Sequence, residues 1–145
     1  MTRIDFYFNA GDRLQVACRL AGKALAQGKR TLIYAPDADT AQRVDRLLWT
    51  WPATGFVPHC ALHDPLAAQT PVLIGDAPGA VAGCDILLNL AAATPPAFES
   101  YERLLEVVAL DDQSRQAARE RYRFYRDRGY PIADHDLAAT AGGAP

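Results

Sequence analysis

Short runs rich in β-branched and aromatic residues alternate with longer runs of helical periodicity along most of this chain, and that alternation restricts the fold more than any other feature. Residues 3–8 (RIDFYF) alternate in polarity and carry aromatics, as a strand does. Asn9-Ala10-Gly11-Asp12 reads as a turn ending in a helix cap. Leu14, Ala17, Cys18, Ala21 and Leu25 then recur at three- and four-residue spacing and form one apolar helix face. Gly28 stands where a left-handed residue closes such a helix. The pattern repeats with a strand over 31–34 (TLIY) and a helix from about residue 38 to 51. Ala41, Val44, Leu48 and Trp51 share one stripe of that helix, and Pro52 ends it. Pro58 confines the extended piece at 56–59 to an edge or a loop.

Residues 72–74 and 85–90 (DILLNL) are the next strands. The second is almost wholly apolar, as a central strand covered on both faces must be. A strand over 106–110 and a charged helix from 112 to about 128 complete the series. Strands that alternate with helices imply an α/β fold, an open and mostly parallel sheet flanked by helices with right-handed crossovers. The arrangement is Rossmann-like. A length of 145 residues fits a single domain, expected over residues 1–130. Residues 131–145, rich in Ala and Gly and without periodicity, read as a frayed tail.

An α/β sheet invites a search for phosphate-binding loops, and the sequence supplies none. Gly28-Lys29-Arg30-Thr31 looks like the end of a P-loop, but Lys23 occupies the place of the upstream glycine. The polarity is also reversed, because the Gly-Lys pair leaves a helix and enters a strand, so no helix N-terminus faces a phosphate. The first strand-to-helix turn (FNAGDR) holds one glycine instead of the three that admit a pyrophosphate. The glycine-rich stretch 75–83 reads as a loop. No cofactor is expected.

Catalytic and metal constellations are equally thin. Cys18, Cys60 and Cys84 form no CxxC pair and no disulfide framework. His59, Cys60, His63 and Asp64 are the nearest approach to a nucleophile or ligand cluster, and would serve a cysteine or nucleotide-dependent hydrolase. Adjacent residues of an extended chain face opposite sides, however, and a structural zinc wants four ligands. The two serines, Ser100 and Ser114, lie outside any nucleophile elbow. A net charge of −2 excludes a wholly basic nucleic-acid coat. No apolar run approaches the ~18 residues of a membrane span, and MTRIDFYF lacks a signal-peptide core, so a cytoplasmic location is expected.

Two features point to partners. The last helix carries six arginines between Gln113 and Arg128. At about 100° per residue, Arg115, Arg119, Tyr122 and Arg126 fall on one stripe, with Arg123 on its flank. Forked guanidinium donors beside an apolar phenol ring suit carboxylates, and a phosphate backbone is the rival ligand, which would make the chain a direct nucleic-acid binder. Ala117, Phe124 and Tyr125 occupy the side expected to pack on the sheet. Arg121 and Arg128 fall among them and require an acidic partner or snorkelling. The second feature is Trp49, well off the apolar stripe of its helix, about 100° from Leu48, and close in sequence to Phe56. An exposed Trp near a Phe has the composition of a protein-binding hot spot.

DFYF, GKRTLIY, RLLWTWPATGFVPH, DILLNL and above all ARERYRFYRDRGY together resemble the chi subunit of bacterial DNA polymerase III, over residues 3–130. The resemblance implies a non-catalytic accessory of the clamp loader in DNA replication, with a nucleotide-binding-like fold that holds no nucleotide. It implies two partners: the psi subunit, and the acidic C-terminal tail of single-stranded-DNA-binding protein, which ends in aspartates followed by Ile-Pro-Phe and a free carboxylate. By motif position the tail-binding residues fall on Arg115, Arg119, Tyr122 and Arg123, and the psi-facing aromatics on Trp49 and Phe56. Arg115 and Arg123 replace the lysines of some relatives and keep the charge. Residues 62–71 and the C-terminal tail match poorly, and nothing is carried over there.

Overall fold

The computed structural model describes residues 1–50 and 57–138. Seven strands form one sheet: β1 (Arg3–Ala10), β2 (Thr31–Tyr34), β3 (His59–Ala61), β4 (Val72–Gly75), β5 (Ile86–Asn89), β6 (Arg103–Ala109) and β7 (Ile132–Asp136). Their order is β3-β4-β2-β5-β6-β1-β7, and every pairing is parallel. Three α-helices cover it among the described residues: α1 (Arg13–Ala26), α2 (Ala38–Thr50) and α3 (Asp112–Asp127). The sheet is therefore the open α/β layer that the alternation of patterns requires, and it is parallel throughout.

Neighbouring residues of the central strands supply opposite cores, as the pleat dictates. Ile33, Leu88, Leu105 and Val107 pack against α1 and α2, where Ala17, Cys18, Ala21, Val44 and Leu48 meet them. Leu32, Leu87, Leu104 and Val108 face the other way, toward Ala118 and Tyr125 of α3. Helix ends follow local chemistry. Asp12 accepts hydrogen bonds from the Leu14 and Gln15 backbone N–H groups at the start of α1, and Asp111 does the same for Ser114 at the start of α3. Gly28 follows α1 with φ of +75°, the left-handed conformation that ends the helix.

Two boundaries differ from the sequence reading. β6 begins at Arg103, three residues before the expected 106, because Arg103 reaches Asp5 of the neighbouring strand and extends the ladder. The expected frayed tail is corrected over its first part: Ile132–Asp136 adds β7 to the outside of β1. Its side chains are tied inward, His135 to Asp5 at 2.9 Å and Asp136 to Asn9 at 2.8 Å. An edge strand held by polar cross-strand contacts shows no apolar alternation, so periodicity cannot reveal it. Residues 139–145 of that expected tail, with Trp51 and Pro52, lie outside the described residues. No helix among the described residues is long and apolar enough to cross a membrane.

Candidate functional site

The C-terminal helix is set onto the sheet by a buried polar network. Glu106 of β6 is fully buried and faces α3. Its carboxylate accepts from Arg121 Nε at 3.0 Å, from the Tyr125 hydroxyl at 2.6 Å and from Asn89 Nδ2 at 3.0 Å. Asn89 is its register partner on β5. Burial raises the Glu106 carboxyl above the ordinary range, opposed by the Arg121 charge and the hydrogen bonds. Burial and the facing carboxylate push the Tyr125 phenol up as well. Arg121 thus has its acidic partner inside the protein, and its Nη1 also donates to the Ala92 carbonyl. Arg128 is explained differently, with its guanidinium 3.7 Å above the Phe124 ring centroid. Ala118 replaces Ala117 in the buried set of α3, with Ala117 left half-buried.

This anchoring turns the adjoining face of α3, about 100° round the helix, toward a pocket of about 380 Å³ against the edge of the sheet. Arg115, Arg119 and Tyr122 line it from the helix. Phe6, Phe8 and Asn9 of β1, Val108 of β6 and Asp134 of β7 supply the other walls. Arg115 Nη2 donates to Asn9 Oδ1 at 3.1 Å, and the Tyr122 hydroxyl donates to Asp134 at 3.3 Å. Burial and the Asp134 carboxylate raise the Tyr122 phenol, so it remains a donor at neutral pH. The Tyr122 ring packs at 5.0 Å from Phe6, which makes a continuous aromatic floor. Arg123 and Arg126 are exposed beyond that lining, and Arg126 is paired with Asp127 at 3.2 Å. Three of the five candidate residues, Arg115, Arg119 and Tyr122, therefore converge on one cavity, and Arg123 and Arg126 extend the positive face beside it.

Asn9 and the two phenylalanines are the members that the helix pattern does not disclose. β1 carries one extra residue relative to β6 between Tyr7 and Ala10, and Asn9 adopts φ of +63° within this irregularity. Such a bulge re-aims side chains, and here it puts the Asn9 amide beside Arg115. The available signals were the Phe6–Phe8 alternation and an Asn before Ala-Gly, a residue type that tolerates left-handed backbone.

Elsewhere the candidate residues separate. His59 turns to α2, its ring buried 3.2 Å from Asp45 Oδ1 but not aligned for a hydrogen bond, while Nδ1 meets the Val57 carbonyl at 2.7 Å. Cys60 packs with the cluster on the α3 face, and His63 is exposed beside Asp76. No group of three or more His, Cys, Asp and Glu among the described residues is arranged for a metal ion. Trp49 is 61% exposed near the end of α2, with its ring edge-on to His59 at 4.9 Å. Phe56 lies outside the described residues.

Residues 1–133 match the family model described as DNA polymerase III chi subunit, HolC. The chain belongs to that family. It is 38% identical over 141 residues to the DNA polymerase III subunit chi of Pseudomonas aeruginosa, covering 94% of this chain and 98% of the relative. The Escherichia coli subunit chi is 32% identical over 119 residues, 81% of each chain. Among solved structures, a single-substitution variant of yeast Dbp5 bound to RNA and ADP-beryllium fluoride superposes with a TM-score of 0.64 at 14% identity, over 92% of this chain and 41% of that one. The Dbp5 C-terminal domain bound to Gle1 and inositol hexakisphosphate gives 0.58 at 12% identity, over 93% and 90%. At such identities this likeness concerns the fold of the chi family member and nothing of its ligands.

Proposed function

We propose that this member of the chi family acts as a non-catalytic adaptor of DNA polymerase III. It would bridge the psi subunit of the clamp loader to the acidic C-terminal tail of single-stranded-DNA-binding protein. The coarser part follows from membership, since the relatives are subunits of DNA polymerase III and the chain is accordingly an accessory subunit of DNA replication. The finer part rests chiefly on one observation. Arg115, Arg119 and Tyr122 surround a cavity whose floor is Phe6, Phe8 and Val108. A peptide that ends in an aromatic residue and a free carboxylate, preceded by aspartates, needs both halves of such a site. The ring takes the apolar floor, and the guanidiniums and phenol take the carboxylates.

Binding is favoured over catalysis by the positions of the reactive groups. Cys60 packs on the α3 side of the sheet, whereas His59 meets Trp49 and Asp45 of α2 on the other. The free backbone donors of α1, where a nucleotide phosphate sits in other sheets of this kind, are taken by the protein's own Asp12. Trp49, with Phe56, is assigned to the psi-facing surface by the family resemblance of their motif positions, and the exposure of Trp49 is consistent with a partner-binding role there. Gel filtration with full-length single-stranded-DNA-binding protein, and with a form lacking its last residues, tests the adaptor role. Co-elution with the first and separation from the second is the expected result. Equal co-elution with both would remove the tail from the account.

A further inference from the structure

The pocket beside α3 is lined by donors, yet its outer wall is acidic. β7 runs parallel to β1 and places Asp134 in the cavity lining. Asp134 Oδ2 accepts from the Tyr122 hydroxyl at 3.3 Å. Two residues on, Asp136 Oδ1 accepts from Asn9 Nδ2 at 2.8 Å, and Asn9 Oδ1 in turn accepts from Arg115 Nη2 at 3.1 Å. The protein's own carboxylates therefore engage one donor of the pocket directly and a second through an amide relay. Arg119 has no such tie among the described residues, and its side chain is exposed at the cavity.

We propose that Asp134 and Asp136 are selectivity-determining residues of this pocket: they hold Tyr122 and, through Asn9, Arg115, and they steer the carboxylates of an acidic peptide toward Arg119. The inference rests on the acidic-peptide reading given above and deepens it. An incoming carboxylate near β7 meets Asp134 in the cavity wall and, behind Asn9, the charge of Asp136, whereas one near Arg119 meets an open guanidinium. The penalty falls most heavily on ligands that present acid along the β7 wall. A peptide engages best with its carboxylates over α3 and its apolar end on Phe6 and Phe8. A loosely acidic ligand without that order gains less.

Neutral isosteres isolate the charge. Asp134→Asn and Asp136→Asn keep an oxygen acceptor for Tyr122, for Asn9 and for the Ala138 backbone N–H that Asp136 also caps. The measurement is the affinity of a fluorescent Asp-Asp-Ile-Pro-Phe peptide with a free C-terminus for the wild-type chain and the double variant. It is repeated with Asn-Asn-Ile-Pro-Phe, at low and high salt, with melting curves of both proteins. The double variant is expected to bind the acidic peptide about two- to fivefold more tightly at low salt, a gain that vanishes near ~0.5 M salt. The gain should be smaller for the peptide without its aspartates. If wild type binds and the double variant binds equally or more weakly, the proposal is overturned while the acidic-peptide reading stands. An equal gain for both peptides also overturns it, because like-charge repulsion would not be the cause. If neither protein binds either peptide, the reading falls and takes the proposal with it.

Discussion

Arg121 of α3 donates from Nε to Oε1 of Glu106 on β6 at 3.0 Å, with both side chains withdrawn from solvent. The pair lies on the buried face of α3, between Ala118 and Tyr125. Together with buried Ala118 and Tyr125 it sets the helix rotation so that Arg115, Arg119 and Tyr122, on the adjoining face, open onto the cavity beside β1. A buried ion pair adds little stability relative to apolar residues of the same shape, but removing one partner leaves a charge without compensation.

Arg121→Leu should therefore destabilise the fold by about 3–5 kcal/mol, as expected when a buried pair loses one member. Chemical denaturation at neutral pH measures it. A loss no larger than that of an exposed arginine on the same helix, such as Arg123, would show that Glu106 finds compensation elsewhere.

The β1–β6–β7 edge depends on a second carboxylate, with the opposite titration sign. Burial would push Asp5 up, but hydrogen bonds from His135 and Arg103, with their charges, outweigh it and hold Asp5 below its ordinary value of 3.8. A carboxylate depressed in the folded state contributes stability that is present above the unfolded value and is lost as pH falls through the folded one. The stability difference between wild type and Asp5→Asn should thus be full at neutral pH and shrink on acidification below 3.8. Thermal melts of both proteins across the acid range would show it. A difference that stays constant would contradict the assigned cause.

The two proposed partner surfaces are separate on the chain, and their variants should separate as well. Trp49 lies near the end of α2, on the opposite side of the sheet from α3. Trp49→Ala should weaken psi binding by at least ~2 kcal/mol, the scale of an aromatic hot spot, and leave binding of the acidic peptide unchanged. Isothermal titration with each partner distinguishes the two. Parallel losses for both would mean that Trp49 acts through stability.

Where periodicity governs, the sequence was readable. The Leu14-to-Leu25 stripe, Asp12, Gly28 and DILLNL all define elements that the structure contains, because each reports a local requirement of helix, cap or buried strand. The arginine stripe was readable for the same reason, and three of its members meet in one cavity. What escaped depends on contacts between distant residues. Glu106 reads as one polar residue within a strand until Arg121, Tyr125 and Asn89 are placed around it. β7 has no apolar signature because Asp5 and Asn9 hold it by polar side chains. Asn9 enters the site only through the irregular pairing of β1 with β6.

Arg119 provides the most direct test, since it is exposed at the cavity and has no tie to the rest of the described fold. The measurement is a titration of fluorescent Asp-Asp-Ile-Pro-Phe, with a free C-terminus, into wild type and Arg119→Ala at low salt, with a peptide lacking the final Phe as control. The account predicts saturable binding to wild type that weakens with salt and is lost without the Phe. It predicts a loss of about 1.5–3 kcal/mol in Arg119→Ala, the value of a charged hydrogen bond, with an unchanged melting temperature. Equal affinity of wild type and Arg119→Ala would contradict the assignment of the arginine helix as the acidic-tail site.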